Sequence, residues 1–257
     1  MTATLLPAII KIAEQAGEAI LVIYGRGQAD FNISAKSDDS PLTAADLAAH
    51  RLIVAELARL TPDIPILSEE AADISWEIRK NWQRYWLVDP LDGTKEFIKR
   101  NGEFTVNIAL IDNGEPVLGV VHAPVLEKTY YAAKGEGAFL KQQASISSIQ
   151  ANKASSKQLV KVVGSRSHPS PDLAGYLARF KAHEMVPVGS SLKFCLVADG
   201  SADVYPRFGP TMAWDTGAGH IVATEAGATV SFDGISSKVY QREQLLNPNF
   251  MVSALRD

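Results

Sequence analysis

The segment Trp86-Leu87-Val88-Asp89-Pro90-Leu91-Asp92-Gly93-Thr94 constrains this chain more than any other stretch. An apolar run of strand character ends at once in two aspartates. Pro90 fixes the backbone between them, and Gly93 permits a sharp turn behind them. Such a run emerges from a core, and two aspartates three apart on a rigid turn can project to one point. Two like charges held there are tolerable only where a cation neutralises them.

Two further segments repeat the theme. Ile64–Leu67 is a short apolar run that ends in Ser68-Glu69-Glu70, and Trp214-Asp215-Thr216-Gly217 predicts a helix with Asp215 as its N-cap, running to Gly227. If the three ends meet, Glu69, Asp89, Asp92 and Asp215 form an all-oxygen cage that suits Mg²⁺ or Mn²⁺ rather than Zn²⁺. Taken singly, Asp215 also reads as a plain N-cap and Glu69-Glu70 as a solvated loop. The five histidines, His50, His122, His168, His183 and His220, are scattered without zinc-type spacing.

Periodicity supplies the frame around these segments. Apolar positions at Leu5, Ile9, Ile12, Ala16, Ile20 and Ile23 predict a helix over 3–24, stopped by Gly25-Arg26-Gly27. A second helix is predicted from about Leu42 to Leu60, entered through Asp39-Ser40-Pro41. Phe104, Val106, Ile108 and Leu110 alternate with Thr105, Asn107 and Ala109, which is strand period. With Val117–Val121, Thr129–Ala133 and Ala138–Leu140 this predicts an antiparallel meander behind two helices. The polar stretch 141–158 predicts a boundary dividing the chain into 1–150 and 151–257. Beyond it, strands at Val162–Gly164 and Val204–Tyr205 alternate with helices near 172–181, 190–199 and 215–226. The expected fold class is α+β followed by α/β, built in layers.

Composition narrows the function classes. A net charge of −4 without long runs of one sign argues against a nucleic-acid polymer as partner. No apolar run approaches the ~20 residues of a membrane span. Lys11, Glu14 and Glu18 break the opening stretch, which is not a signal peptide. Cys195 is the one cysteine, set in the apolar run Phe194-Cys195-Leu196-Val197; it reads as a core thiol in a reducing, cytoplasmic compartment.

Divalent ions on such a cage are the apparatus of phosphoryl hydrolysis. Thr94, beside the ligands, could pass a proton from the attacking water toward a carboxylate, for which Asp46 is the candidate. Asp46 equally reads as first-turn charge complementing a helix dipole. A covalent aspartyl-phosphate route is disfavoured, because the Asp89–Asp92 spacing is one residue too long for Asp-x-Asp.

Taken together, Pro41–Asp46, Glu69-Glu70, Asp89–Thr94 and Trp214–Gly219 resemble the signatures of the inositol monophosphatase superfamily of Mg²⁺-dependent, lithium-sensitive phosphatases. Arg84–Phe97, Gly164-Ser165-Arg166-Ser167-His168, Gly189–Phe194 and Tyr205–Pro210 resemble its bacterial 3'(2'),5'-bisphosphate nucleotidase branch. The resemblance implies a layered αβαβα sandwich with the active site between two domains. It implies two or three Mg²⁺ ions held by Glu69, Asp89, Asp92, Asp215 and the carbonyl of Leu91. Glu69 and Thr94 would help activate water, with Asp46 orienting Thr94. Asp92, Gly93 and Thr94 would touch the scissile phosphate, and His168 and Lys193 the nucleotide. The implied reaction converts adenosine 3',5'-bisphosphate to AMP and phosphate, extending to the sulfated nucleotide PAPS and so to sulfur assimilation. An inositol monophosphatase or sugar bisphosphatase would share the cage but not the loops at 164–168 and 189–193. A metal-dependent nucleotide sensor without turnover would not need Asp46, Glu69, Asp89, Asp92, Thr94 and Asp215 together. Some bacterial relatives sit at the inner face of the cell membrane, but no basic amphipathic helix or lipidation motif marks an anchor here.

Overall fold

A computed structural model describes residues 2–26, 31, 33–35, 41–153, 155–156, 158–165 and 171–256. The first part of the chain runs α1 (Leu6–Tyr24), β1 (Ser34–Ala35), β2 (Pro41–Leu42), α2 (Ala44–Leu60), β3 (Ile66–Ser68), α3 (Trp76–Arg79), β4 (Arg84–Asp92) and α4 (Thr94–Ile98). It continues through β5 (Thr105–Asp112), β6 (Glu115–Ala123), β7 (Lys128–Ala133), β8 (Gly137–Gln142) and β9 (Ser145–Ile149). The second part comprises β10 (Leu159–Ser165), α5 (Pro171–Leu177), β11 (Ala182–Val188), α6 (Leu192–Ala198), β12 (Val204–Arg207), α7 (Ala213–Glu225), β13 (Thr229–Phe232) and β14 (Phe250–Ser253).

Apart from the small antiparallel pair β1–β2, these strands make two sheets. The first has the order β3-β4-β5-β6-β7-β8-β9, antiparallel throughout except for the parallel pair β3–β4. The second has the order β11-β10-β12-β14-β13, parallel over β11-β10-β12 and antiparallel beyond.

Strand alternation decides what each face buries. On β4 and β5, Trp86, Val88, Val106, Ile108 and Leu110 pack under α1 and α2 with Ile9, Ile12, Ile20, Ile53 and Leu57. Leu87, Ala109 and Ile111 face the other way, into a core shared with α6, α7 and the second sheet. Burying each such aliphatic side chain stabilises the fold by about 1.5–3 kcal/mol. On the far side of the second sheet, Val160, Val162 and Val204 pack against Tyr176 and Leu177 of α5. The layers thus read α1/α2, sheet, α6/α7, sheet, α5. This is the expected αβαβα sandwich.

The layer between the sheets is thin because α7 is built from small residues. A Cβ on Gly119 of β6 would stand 2.4 Å from Ile221 Cγ2 and 2.6 Å from the Ala218 carbonyl oxygen. Only glycine lets the helix lie this close to the strand.

Several predicted boundaries shift. α2 begins at Ala44 with Thr43 as N-cap, not at Leu42, and Asp39 and Ser40 of the expected entry lie outside the described residues. The helix expected over 172–181 is Pro171–Leu177, and that over 190–199 is Leu192–Ala198. The stretch 141–158 is not free of structure, since Ser145–Ile149 forms the edge strand β9. It carries almost no inward apolar pattern, being exposed along nearly its whole length, which is why periodicity misses it. The meander also begins one strand later than a purely antiparallel sheet would, because β3 lies parallel to β4.

Candidate active site

In a regular strand, residues three apart point to opposite faces. Asp89 and Asp92 escape that rule through a β-bulge. Asp89 pairs with Asn107 and Asp92 with Thr105, so three steps along β4 match two along β5. The extra residue falls in Pro90-Leu91, where a proline forfeits no ladder donor. The bulge resets the parity and turns both carboxylates to one side. Asp89 Oδ1 accepts from the Leu91 N–H at 3.0 Å, which closes the turn from within. Gly93 then takes φ +94°, and a Cβ there would stand 3.2 Å from the Glu103 carbonyl oxygen.

One carboxylate oxygen from each of Asp89, Asp92 and Asp215 lies within 4.8 Å of the others. Asp215 arrives on α7, but not as its N-cap. The helix starts at Ala213 with Met212 as N-cap, and Asp215 is its third residue. Its Oδ2 accepts from the Met212 N–H at 2.9 Å. The carboxylate caps the helix from inside rather than from in front, so the N-cap lies three residues earlier than predicted.

Glu69 opens the 3₁₀ turn after β3. Because Ser68 pairs with Val88 in parallel register, Glu69 follows beside Asp89, and both border a cavity of about 270 Å³ with Asp92, Thr94, Lys193 and Asp215.

Burial pushes Asp89 well above the usual carboxylate range, and the charges of Glu69, Asp92 and Asp215 push it further. Burial also raises Asp215 well above that range, with Asp92 and Glu69 adding to the effect. Asp92 is raised by burial too, but Lys193, Ser191 and Asn107 pull it back. Carboxylates that resist ionisation beside one another are a site for positive charge. An all-oxygen donor set fits a hard divalent cation.

Asp46 serves both of the roles its position allows. It is fully buried, and its Oδ2 accepts from the Thr43 N–H at 2.8 Å and the Thr43 hydroxyl at 2.5 Å, which fixes the start of α2. Its Oδ1 accepts from the Thr94 hydroxyl at 3.2 Å. Thr94 Oγ1 also stands 3.4 Å from the carbonyl oxygen of Leu91.

Lys193 also lines the cavity, from α6. Its Nζ donates to the Ser190 carbonyl at 2.6 Å and lies 5.6 Å from the Tyr205 ring centroid. Burial lowers its pKa to about 8, against the opposing pull of Asp92. Arg207 borders the same space, its Nε donating to Thr211 Oγ1 at 2.7 Å. Arg166 and His168 lie outside the described residues.

Three residues at the site are given no role by the sequence reading. Ser191 Oγ stands 2.6 Å from Asp92 Oδ2, Asn107 Nδ2 donates to Ser191 Oγ at 2.8 Å, and Thr105 donates to Asn107 Oδ1 at 3.0 Å. Their signal is polarity on a strand that is buried on both faces, where Thr105 and Asn107 have no solvent to face.

The profile described as the inositol monophosphatase family matches residues 1–251. The 3'(2'),5'-bisphosphate nucleotidase CysQ of Salmonella typhimurium is 53% identical over 251 residues, 97% of this chain and 99% of that protein. The CysQ of Escherichia coli K12 is 52% identical over the same shares of both chains. Among solved structures, CysQ from Bacteroides thetaiotaomicron, a bacterial member of the inositol monophosphatase family, superposes with a TM-score of 0.83 at 44% identity, covering 96% of this chain and 95% of that one. The Thermotoga maritima IMPase gives 0.78 at 28% identity over 97% and 91%. A chain with this acidic focus in this sandwich, matched over nearly its full length, belongs to the inositol monophosphatase family.

Proposed function

We propose that this protein is a Mg²⁺-dependent 3'(2'),5'-bisphosphate nucleotidase that converts adenosine 3',5'-bisphosphate to AMP and phosphate, with PAPS as a further substrate. The observation that carries the reading is the convergence of Asp89, Asp92 and Asp215 on one point beside the Thr94–Asp46 hydrogen bond. Similarity to the bisphosphate nucleotidases supports the substrate class.

Glu69, Asp89, Asp92, Asp215 and the Leu91 carbonyl would hold two or three Mg²⁺ ions, with Mn²⁺ as a substitute. Bound there, the metal supplies charge for the phosphate and lowers the pKa of water. The chain's own residues do the rest. Thr94 Oγ1 takes a proton from the attacking water as its own passes to Asp46 Oδ1, which later returns it to solvent. Glu69, which borders the same cavity, would assist in activating the water. As the new P–O bond forms, the bond to the sugar oxygen breaks, and that oxygen leaves as a hydroxyl after taking a proton from solvent. Gly93 lets the main chain approach the phosphate, which no larger residue would permit at its left-handed φ. Lys193 and His168 would contact the nucleotide. Turnover would take place in the cytoplasm and serve sulfur assimilation; no helix among the described residues is long and apolar enough to cross a membrane.

Phosphate release from adenosine 3',5'-bisphosphate and from inositol 1-phosphate, measured side by side with Mg²⁺, with EDTA and with Mg²⁺ plus Li⁺, tests this. Preference for the nucleotide, abolished by EDTA and inhibited by Li⁺, is expected. Preference for the inositol ester would keep the metal site and remove the nucleotide assignment. No release from either would remove the catalytic reading.

A further inference from the structure

We propose that Asn107 and Ser191 are positioning residues that hold Asp92 so that only one of its carboxylate oxygens is presented to metal. This rests on Asp92 being a metal ligand, as read above.

Both side chains act on the same oxygen. Asp92 Oδ2 stands 2.6 Å from Ser191 Oγ and 3.3 Å from Asn107 Nδ2. A carboxylate oxygen has two lone-pair positions in its plane. Both donors are directed at Oδ2, which leaves Oδ1 as the oxygen free to meet a cation. The donors are themselves fixed. Asn107 Oδ1 accepts from the Thr105 hydroxyl at 3.0 Å, which orients the amide with its N–H groups toward Ser191 and Asp92. Thr105, Asn107 and Ser191 are all fully buried, where neither water nor a different rotamer offers a substitute.

The pair also joins the two halves of the site. Asn107 stands on β5 of the first sheet, and Ser191 precedes α6, which packs on the second. Ser191 Oγ lies 2.6 Å from the Asp215 main-chain oxygen as well as 2.6 Å from Asp92. Its single proton is divided between the two acceptors, while its lone pair accepts from Asn107. One hydroxyl therefore ties the Asp92 carboxylate of β4 to the main chain of α7 at Asp215.

The test uses the full-length protein stripped of metal, titrated with Mn²⁺ and followed by electron paramagnetic resonance. Ser191→Ala, Asn107→Leu and the double variant are compared with wild type, and Asp92→Asn serves as reference. Each single variant is expected to weaken Mn²⁺ binding by about 10–100-fold. The double variant should weaken it by less than the product, because both donors act on one oxygen. The melting temperature in EDTA reports folding separately. If Asn107→Leu fails to fold, Ser191→Ala alone carries the comparison. Unchanged Mn²⁺ binding in Ser191→Ala, with binding lost in Asp92→Asn, would overturn the positioning role and leave Asp92 as a ligand. Unchanged binding in Asp92→Asn would overturn both.

Discussion

Thr94 Oγ1 donates to Asp46 Oδ1 at 3.2 Å, while the other oxygen of the same carboxylate caps the helix that carries it. One side chain thus fixes the start of α2 and orients the hydroxyl at the acidic cavity. The two roles separate by mutation. Thr94→Val keeps the shape and removes the hydroxyl, so kcat should fall by about 10²–10⁴-fold, the usual worth of a positioned proton acceptor. The melting temperature should stay close to that of wild type. Asp46→Asn should lower both, losing about 0.5–2 kcal/mol of stability with the cap. Steady-state kinetics paired with thermal melts distinguish them.

The carboxylate focus should destabilise the protein when metal is removed. Asp89 has a folded pKa raised above its ordinary 3.8, so its contribution is fully present below that value and is lost as pH rises through the folded one. In EDTA, wild type should therefore weaken from acid toward neutral pH relative to Asp89→Asn. The variant should melt higher at pH 7, with about 1 kcal/mol of relief appearing as roughly 2–4 °C. The gap should close as pH falls and Asp89 takes up its proton. Mg²⁺ should raise the melting temperature of wild type but not of the variant. Melts across pH in EDTA and in Mg²⁺ check all three points.

His122 and His220 set the opposite limb. Burial lowers both to about 4 from 6.5, with Nδ1 of each against a hydroxyl, that of Thr129 at 2.9 Å and of Tyr240 at 3.1 Å. Their contribution is present above 6.5 and is lost as pH falls toward 4, because the unfolded chain protonates first. At about 1.4 kcal/mol per pH unit, each accounts for up to roughly 3 kcal/mol by pH 4. His122→Gln and His220→Gln should each flatten the decline in urea-unfolding free energy between pH 6.5 and 4.5. An unchanged slope would show that these rings take up protons in the folded state.

The sandwich and the acidic ends were largely readable from alternation on β4 and β5 and from apolar runs that stop at carboxylates. What was not readable depends on pairing. The spacing of Asp89 and Asp92 names two ligands but not the bulge that turns them to one face, since that is set by the register of Asn107 and Thr105 across the ladder. Asp215 was placed at a helix start, yet its cap is taken from inside, through a bond to Met212 that no local propensity announces. Ser191 sits far from Asp92 in sequence and meets it only when the two sheets close over α6 and α7. Exposed β9 carries no pattern because it lies open along nearly its whole length.

Gly119 ties packing to the site. α7 brings Asp215 to the cavity and rests on β6 at Gly119, where a Cβ would meet Ile221 Cγ2 at 2.4 Å and the Ala218 carbonyl oxygen at 2.6 Å. The second contact is backbone, so a rotamer change cannot relieve it. Gly119→Ala must push the helix off the sheet, at a cost of about 1–3 kcal/mol for overpacking. Displacing the helix displaces Asp215 relative to Asp89 and Asp92, which are fixed on the sheet itself. A misplacement of about 1 Å at reacting groups can cost ~10²-fold in rate. The variant should therefore lose activity well below its melting temperature and bind Mn²⁺ more weakly, although no ligand has been touched. Gly135→Ala is the control: glycine at φ +82° with nothing within 4 Å of its Cβ, it should lose modest stability and keep full activity. Equal activity in the two variants at 25 °C would mean that α7 can shift without moving Asp215.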